Sequence, residues 1–230
     1  MAYYKTELHL HSAEVSACGK ATAEDIVNVY LEAGYTTLVL TNHFSPFTYT
    51  SGKEDLSYMT PEEKVEFYIN GFHALKNAAE GKLHVLFGME LYPMGRACDH
   101  LIYGMTEEFL RTHPDLMELP LATTSALVRE AGMILCQAHP FRNDMKIGDP
   151  SLLDGMETHN AHTSSFRNKI AEQWADEFGL IKIAGSDYHG THHKAESGIA
   201  TDCPITTNEE LLEGLRSGNY KQIHKSVIVE

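Results

Sequence analysis

The chain has 230 residues, 43 % hydrophobic and 22 % charged, which suits one globular unit with a well-buried core. Its formal charge of −14 argues against nucleic acid or an anionic membrane surface as the main partner, since both need clustered Lys and Arg. No window approaches the roughly 20 apolar residues of a membrane span, and the start MAYYKTELHL lacks the apolar core of a secretory signal.

In chain order, the pattern alternates short apolar runs with amphipathic helices. ATAEDIVNVYLEAGY reads as a helix from Thr22 to Ala33, capped by Thr22 and stopped by Gly34, with Ile26, Val29, Tyr30 and Ala33 on one face. A buried strand, Thr36 to Thr41, follows. TPEEKVEFYINGFHALKNAAEG carries Thr60 at the cap, Pro61 at the first helical position and Glu63 closing a capping box, and Gly81 ends it. HVLFGMEL and HLIYGM read as strands, TSALVREAG as a helix, and MILCQAH and LLDGMETHN as strands. SSFRNKIAEQWADEFG is a helix, LIKIAGSDYH a strand, TTNEELLEGLRSGN a helix with a Thr207/Glu210 capping box, and YKQIHKSVIV one closing strand. The longest irregular stretches are Phe44–Met59, Asn143–Asp154 and Thr191–Thr206. This alternation predicts a single α/β domain over residues 1–230 with a mostly parallel sheet.

The chemistry lies at the strand ends. In TELHLH, His9 and His11 are two apart, so on an extended chain both imidazoles face one side. His11, His43, Glu90, His139, Glu157 and Asp187 each fall at or near the C-terminal end of a predicted strand, and such ends converge on one face of a βα barrel. Adding His100 and His189, these stations offer imidazole and carboxylate together. Buried carboxylates cost several kcal/mol each unless a cation compensates them. Two or three divalent ions supply that compensation, and the donor types suit zinc, manganese or iron.

The pieces HLH, TNH, GMEL, DHLIYG, QAHP and GSDYHG, in this order from His9 to Gly190, resemble the PHP family, the polymerase and histidinol phosphatase group of metal-dependent phosphoesterases. The resemblance implies a distorted (β/α)7 barrel with up to three metal sites. It places His9, His11, Glu90 and Asp187 on a first ion. Glu90 bridges to a second, completed by His100 and His139. His43 and His189 take a third, with one more ligand from the loop after HLH, either Cys18 or Glu14. Where the family usually has TDH, this chain has TNH with Asn42, which keeps the shape of the Asp and loses its charge. Cys18 as a thiolate favours zinc or iron; its other reading is a small buried thiol.

The resemblance also implies phosphate contacts for Arg142 in HPFRN and Arg167 in SFRN, whose planar forks suit phosphate oxygens. Glu157 reads either as support for a ligand or as a helix cap, with Asn160 near the same rim; His159 and His162 are candidates for the pocket wall.

The function expected is hydrolysis of a small phosphomonoester, such as a histidinol-phosphatase-type substrate, by a hydroxide shared between two metals about 3.5–4 Å apart. In that scheme Asp187, His189 and Arg142 are the catalytic group, with His189 or a bound water protonating the leaving group. Rival readings are a phosphodiesterase or phosphotyrosine phosphatase on the same site, a metal-stabilised binding module with little chemistry, and an amidohydrolase, whose usual carboxylated lysine has no candidate at a strand end. The four cysteines, Cys18, Cys98, Cys136 and Cys203, form no CxxC pair and fit free thiols in a reducing cytoplasm. Oligomeric state is open.

Overall fold

The computed structural model describes residues 3–51, 54–93 and 97–229. Its strands are β1 Tyr4–Glu7, β2 Thr37–Leu40, β3 His43–Phe44, β4 His84–Leu91, β5 His100–Tyr103, β6 Ile134–Gln137, β7 Gly155–Asn160, β8 Ile181–Gly185, β9 Gly198–Thr201, β10 Lys221–His224 and β11 Val227–Val229. Its helices are α1 Ala23–Glu32, α2 Pro46–Thr50, α3 Pro61–Ala78, α4 Glu107–Thr112, α5 Leu121–Glu130, α6 Ser165–Phe178 and α7 Asn208–Ser217. Among the described residues, no helix is long and apolar enough to cross a membrane.

The capping signals act where they were read. Thr22, Thr60 and Thr207 each accept from the backbone three residues on, and the acid there returns the bond. Two short helices were not foreseen: α2 lies in the stretch expected to be irregular, of which Gly52 and Lys53 are outside the described residues, and α4 is capped by Thr106. β9 was also missed, inside the stretch taken as a loop. The expected single closing strand is a hairpin instead. His224 pairs with Val227 across a two-residue turn in which Lys225 and Ser226 take φ of 49° and 67°. That geometry usually selects Asn-Gly, so Lys-Ser gave no signal.

The strands form one sheet in the order β11-β10-β9-β1-β2-β4-β5-β6-β7-β8, with β3 beside β4. It is a mixed sheet, not the mostly parallel one expected. β1–β2, β2–β4, β3–β4, β6–β7 and β7–β8 are parallel. β1–β9, β9–β10, β10–β11, β4–β5 and β5–β6 are antiparallel. Only residues 92–99 separate β4 from β5, too few for the crossover of a dozen or more that a parallel pair needs. The sheet curls as a half-barrel. Its β8 end meets the chain beyond β1 through a lone bridge, Leu10 to Tyr188, so closure into a (β/α)7 barrel is not seen among the described residues.

Both faces of the sheet are buried, and side chains alternate between them. Leu38, Leu40, Met89, Leu91 and Ile102 pack with Ile26 and Tyr30 of α1 and with Val65, Ile69 and Phe72 of α3. Val39, Leu86, Leu101, Tyr103, Cys136 and Ile183 belong to a second cluster on the other face, which Leu211 and Leu215 of α7 also join. Along β4 the row Leu86, Gly88, Glu90 continues this second face, and an acid ends it where an aliphatic side chain would pack.

Candidate metal centre

His9 and His11 lie just past β1, on the extended segment that bridges to Tyr188. Glu90 is the penultimate residue of β4; His139 and Asp187 stand two residues beyond β6 and β8. The topology brings them together. His9 Nε2 and His11 Nε2 are each 3.2 Å from Glu90 Oε2 and 3.4 Å from Asp187 Oδ1. His139 Nε2 is 3.0 Å from Glu90 Oε1, and His43 Nδ1 is 3.1 Å from Glu90 Oε2. His9, His11 and Glu90 are fully buried, yet His9 Nε2, His11 Nε2, Glu90 Oε2 and Asp99 Oδ1 lack a hydrogen bond of good geometry. Orphaned buried atoms cost about 1–3 kcal/mol each, more when charged. Divalent ions would satisfy all of them, because two ligands each about 2.1 Å from a tetrahedral ion stand about 3.4 Å apart. The donor set fits.

Surrounding residues hold these donors in place. His9 Nδ1–H donates to Glu157 Oε1 at 2.9 Å, which would leave Nε2 to face an ion held beside Glu90 and Asp187. Glu157 Oε2 accepts from His139 N at 2.8 Å and Asn160 Nδ2 at 3.0 Å. Of the two readings of Glu157, the ligand-supporting one matches. Glu7, which sequence reasoning passed over, is fully buried. Its Oε1 accepts from the backbone N–H of Leu8, His9 and Ser186, and its Oε2 from Tyr30 Oη at 2.8 Å. One carboxylate thus fixes the chain beside both His9 and Asp187. The signal was an acid two residues before HLH. Gly185 makes the approach possible: a Cβ there would lie 2.4 Å from His9 Cβ and 2.7 Å from Glu157 Oε1. His139 and Asp187 take φ of 26° and 50°, a strained region for non-glycine residues that recurs at functional sites.

Each imidazole and acid perturbs the others. Burial pushes Glu90 up, but His43, His9, His11 and His139 together hold it well below the usual carboxylate range. Asp187 is likewise held well below it, against burial, by His9, His11, Arg142 and His139. Burial would lower His9, but Glu157, Asp187 and Glu90 keep it well above its ordinary value. Asp99 is pushed up to about 7 by burial and by Glu90. Burial lowers His43 to about 4, and burial with the neighbouring His11 lowers His189 to about 3, so both imidazoles are neutral near pH 7.

A second group forms at the mouth. His11, Cys18, His43 and His189 offer ligand atoms all within 4.8 Å of one another. Burial, with Glu90 and Asp187, pushes the Cys18 thiol up to about 11. Glu14 does not join this group; its Oε1 accepts from Ala23 N at 2.8 Å, at the start of α1. Asn42 keeps the structural part of the expected Asp, accepting from Ser12 N at 2.8 Å and Ser16 Oγ at 2.9 Å.

His100 is not brought to the centre. It pairs across the sheet with Leu91 and Gln137, so its side chain lies on the face opposite Glu90. The neighbouring Asp99 takes the place instead. It groups with His43 and Glu90, and its Oδ2 is 3.8 Å from His139 Nε2. The cause is strand parity: in CDH only one of two adjacent residues can face Glu90, and the β4–β5 register decides which. Arg142 donates through Nη2 to Asp187 Oδ2 and to Asn160 Oδ1. Arg167 donates to Asn143 Oδ1 and ties α6 to the loop after His139, outside the converging acids. His159 stacks on His224 with ring centroids 3.8 Å apart, away from the donors. His162 lies against His193 with the rings tilted by 36°, and His193 Nδ1 accepts from His189 N at 3.1 Å, so His162 lies on the rim.

Residues 166–220 match the family model described as PHP-associated. A comparison with curated proteins finds no significant match. Among solved structures, the chain is similar to a two-domain protein from Bacteroides vulgatus containing a predicted PHP-like metal-dependent phosphoesterase, at 15 % identity and TM-score 0.70 over 100 % of this chain and 67 % of that one. It is similar to PsfC from Pseudomonas syringae at 15 % identity and TM-score 0.68, over 92 % of this chain and 88 % of that one. It is also similar to an amidohydrolase from Chromobacterium violaceum with bound sulfate and no metal, at 14 % identity and TM-score 0.58, over 97 % of this chain and 99 % of that one. At these identities the structural likenesses show the fold alone. The chain therefore carries a PHP-associated segment over residues 166–220 within a fold similar to that of PHP-like structures.

Proposed function

We propose that the protein hydrolyses a phosphate ester, most simply a small phosphomonoester of the histidinol-phosphate type, with two or three divalent ions bound among His9, His11, His43, Glu90, Asp99, His139, Asp187 and His189. The carrying observation is the set of buried His and Glu atoms left without hydrogen bonds around one space. Zinc, manganese or iron there would supply a water of lowered pKa and positive charge for phosphoryl oxygens.

The chain's own groups do the rest. Glu157 keeps the His9 proton on Nδ1. His189 Nδ1–H donates to Asp187 O at 2.8 Å, so its proton faces the backbone and its Nε2 is a lone-pair donor. With its imidazole neutral down to about pH 3, His189 is poorly suited to protonating a leaving group. Arg142, 32 % exposed at the side chain, donates through Nη2 to both Asp187 Oδ2 and Asn160 Oδ1. Its other N–H groups serve oxygens of the phosphoryl group. Arg167, one loop away and bonded to Asn143 Oδ1, serves larger substrates. The relatives in fold include a PHP-like phosphoesterase and an amidohydrolase, and the same donors suit either ester or amide hydrolysis. The Arg142 fork beside Asp187 favours the tetrahedral phosphoryl group. A small substrate fits the net charge of −14, and four scattered cysteines with no CxxC pair fit a cytoplasmic setting.

The test is release of p-nitrophenol from its phosphate by protein supplied with manganese or zinc, beside His9→Ala and Asp187→Ala. Turnover by the native protein that falls at least 100-fold in both variants is expected. Ions bound without turnover of any phosphate ester would support the binding-module reading, and turnover of amides alone the amidohydrolase one.

A further inference from the structure

The loop after HLH is tied to the backbone of two of the histidines that its cysteine approaches. His43 N donates to Ser16 Oγ at 3.0 Å, and Ser16 Oγ donates to Asn42 Oδ1 at 2.9 Å. Gly19 N donates to Ser16 O at 2.9 Å, and Lys20 N to His189 O at 2.7 Å. A Cβ on Gly19 would lie 2.5 Å from Ser12 O, so the loop closes tightly beside Cys18. Cys18 is therefore set between the backbones of His43 and His189. His11, fully buried with Nε2 lacking a hydrogen bond, completes the group.

From this arrangement we propose that Cys18 ligates the mouth-side ion as a thiolate and makes that position selective for zinc, iron(II) or cobalt(II) over manganese or magnesium. The inference rests on the metal-dependent reading above but concerns one ligand and one position. Imidazole nitrogens with one thiolate sulfur form a soft, tetrahedral donor set, whereas magnesium and manganese favour oxygen. His11 Nε2 can serve only one ion, and it also faces Glu90 and Asp187. If the inner ion takes it, Cys18, His43 and His189 remain as three protein ligands with one position open, the arrangement of a reactive rather than a purely structural zinc site.

The experiment loads chelator-treated full-length protein with cobalt(II) and records its absorption, with bound metal counted in parallel. A thiolate-to-cobalt charge-transfer band in the near ultraviolet is expected. It should vanish in Cys18→Ser and Cys18→Asp and persist in Cys203→Ser, which removes the other exposed thiol. Zinc should slow alkylation of Cys18 in the native protein at least tenfold, and manganese should not. Cobalt bound with no such band, or a band surviving Cys18→Ser, would overturn the assignment and leave the functional reading intact. No cobalt bound at all would overturn both.

Discussion

Glu157→Gln tests how the centre is held. Three donors converge on this side chain: His9 Nδ1–H on one oxygen, His139 N–H and Asn160 Nδ2–H on the other. A carboxylate accepts at both ends; an amide accepts at one. With its oxygen toward His139 and Asn160, the amide NH₂ faces His9 Nδ1. His9 must then move its proton to Nε2, where the ion would bind, or keep two donors opposed. Either state costs about 1–3 kcal/mol, which is roughly 10–100-fold in metal affinity. The metal-free protein should lose about 2 kcal/mol, or roughly 4–8 °C in Tm for a chain of this size. Calorimetric titration with zinc and a thermal melt read the two effects. A variant that binds zinc within twofold of the native protein would refute the idea that Glu157 sets the His9 tautomer.

The remaining predictions are these. Asp99→Asn should weaken one bound ion at least tenfold, while His100→Gln leaves the metal count unchanged; the reverse, measured by equilibrium dialysis and metal analysis, would restore His100 as the ligand. Glu7→Ala strips the acceptor from three backbone N–H groups and the Tyr30 hydroxyl, all buried. At about 1–3 kcal/mol per orphaned donor, it should lower Tm by more than 10 °C, and a smaller shift by calorimetry would show that water replaces the carboxylate. His159 is held down to about 4 by burial and by His224, against an ordinary 6.5. The unfolded chain therefore binds this proton first, and the stability His159 contributes, present above pH 6.5, is lost as pH falls through 4. The full loss is about 3 kcal/mol. Urea melts of the native protein and His159→Phe should diverge across that window; parallel pH profiles would count against it.

Much of the centre was legible because its residue types are costly without a purpose. An acid ending the row Leu86, Gly88, Glu90, and imidazoles two apart in HLH, stand where packing alone would select aliphatic side chains. Helix starts were legible because capping is a local bargain between neighbours, as at Thr60 and Glu63. Strand partners were less so. Antiparallel β4–β5–β6 depends on the connection as a whole, and the β10–β11 turn uses residues that do not advertise it. The Asp99 and His100 exchange follows from this, since a shift of one residue along a strand moves a side chain to the other face.

By itself, then, the sequence determined most of the longer elements, where the capped helices begin, and that His9, His11, His43, Glu90, His139, Asp187 and His189 offer imidazole and carboxylate donors at or near strand ends. These are properties of residue type and short spacing. Tertiary structure alone decided which of these atoms meet, that Asp99 rather than His100 faces Glu90, and that Glu7 and Glu157 hold them there. Those outcomes depend on register and on contacts between residues more than a hundred positions apart, such as His9 with Glu157 and Glu7 with Ser186, which no local pattern encodes.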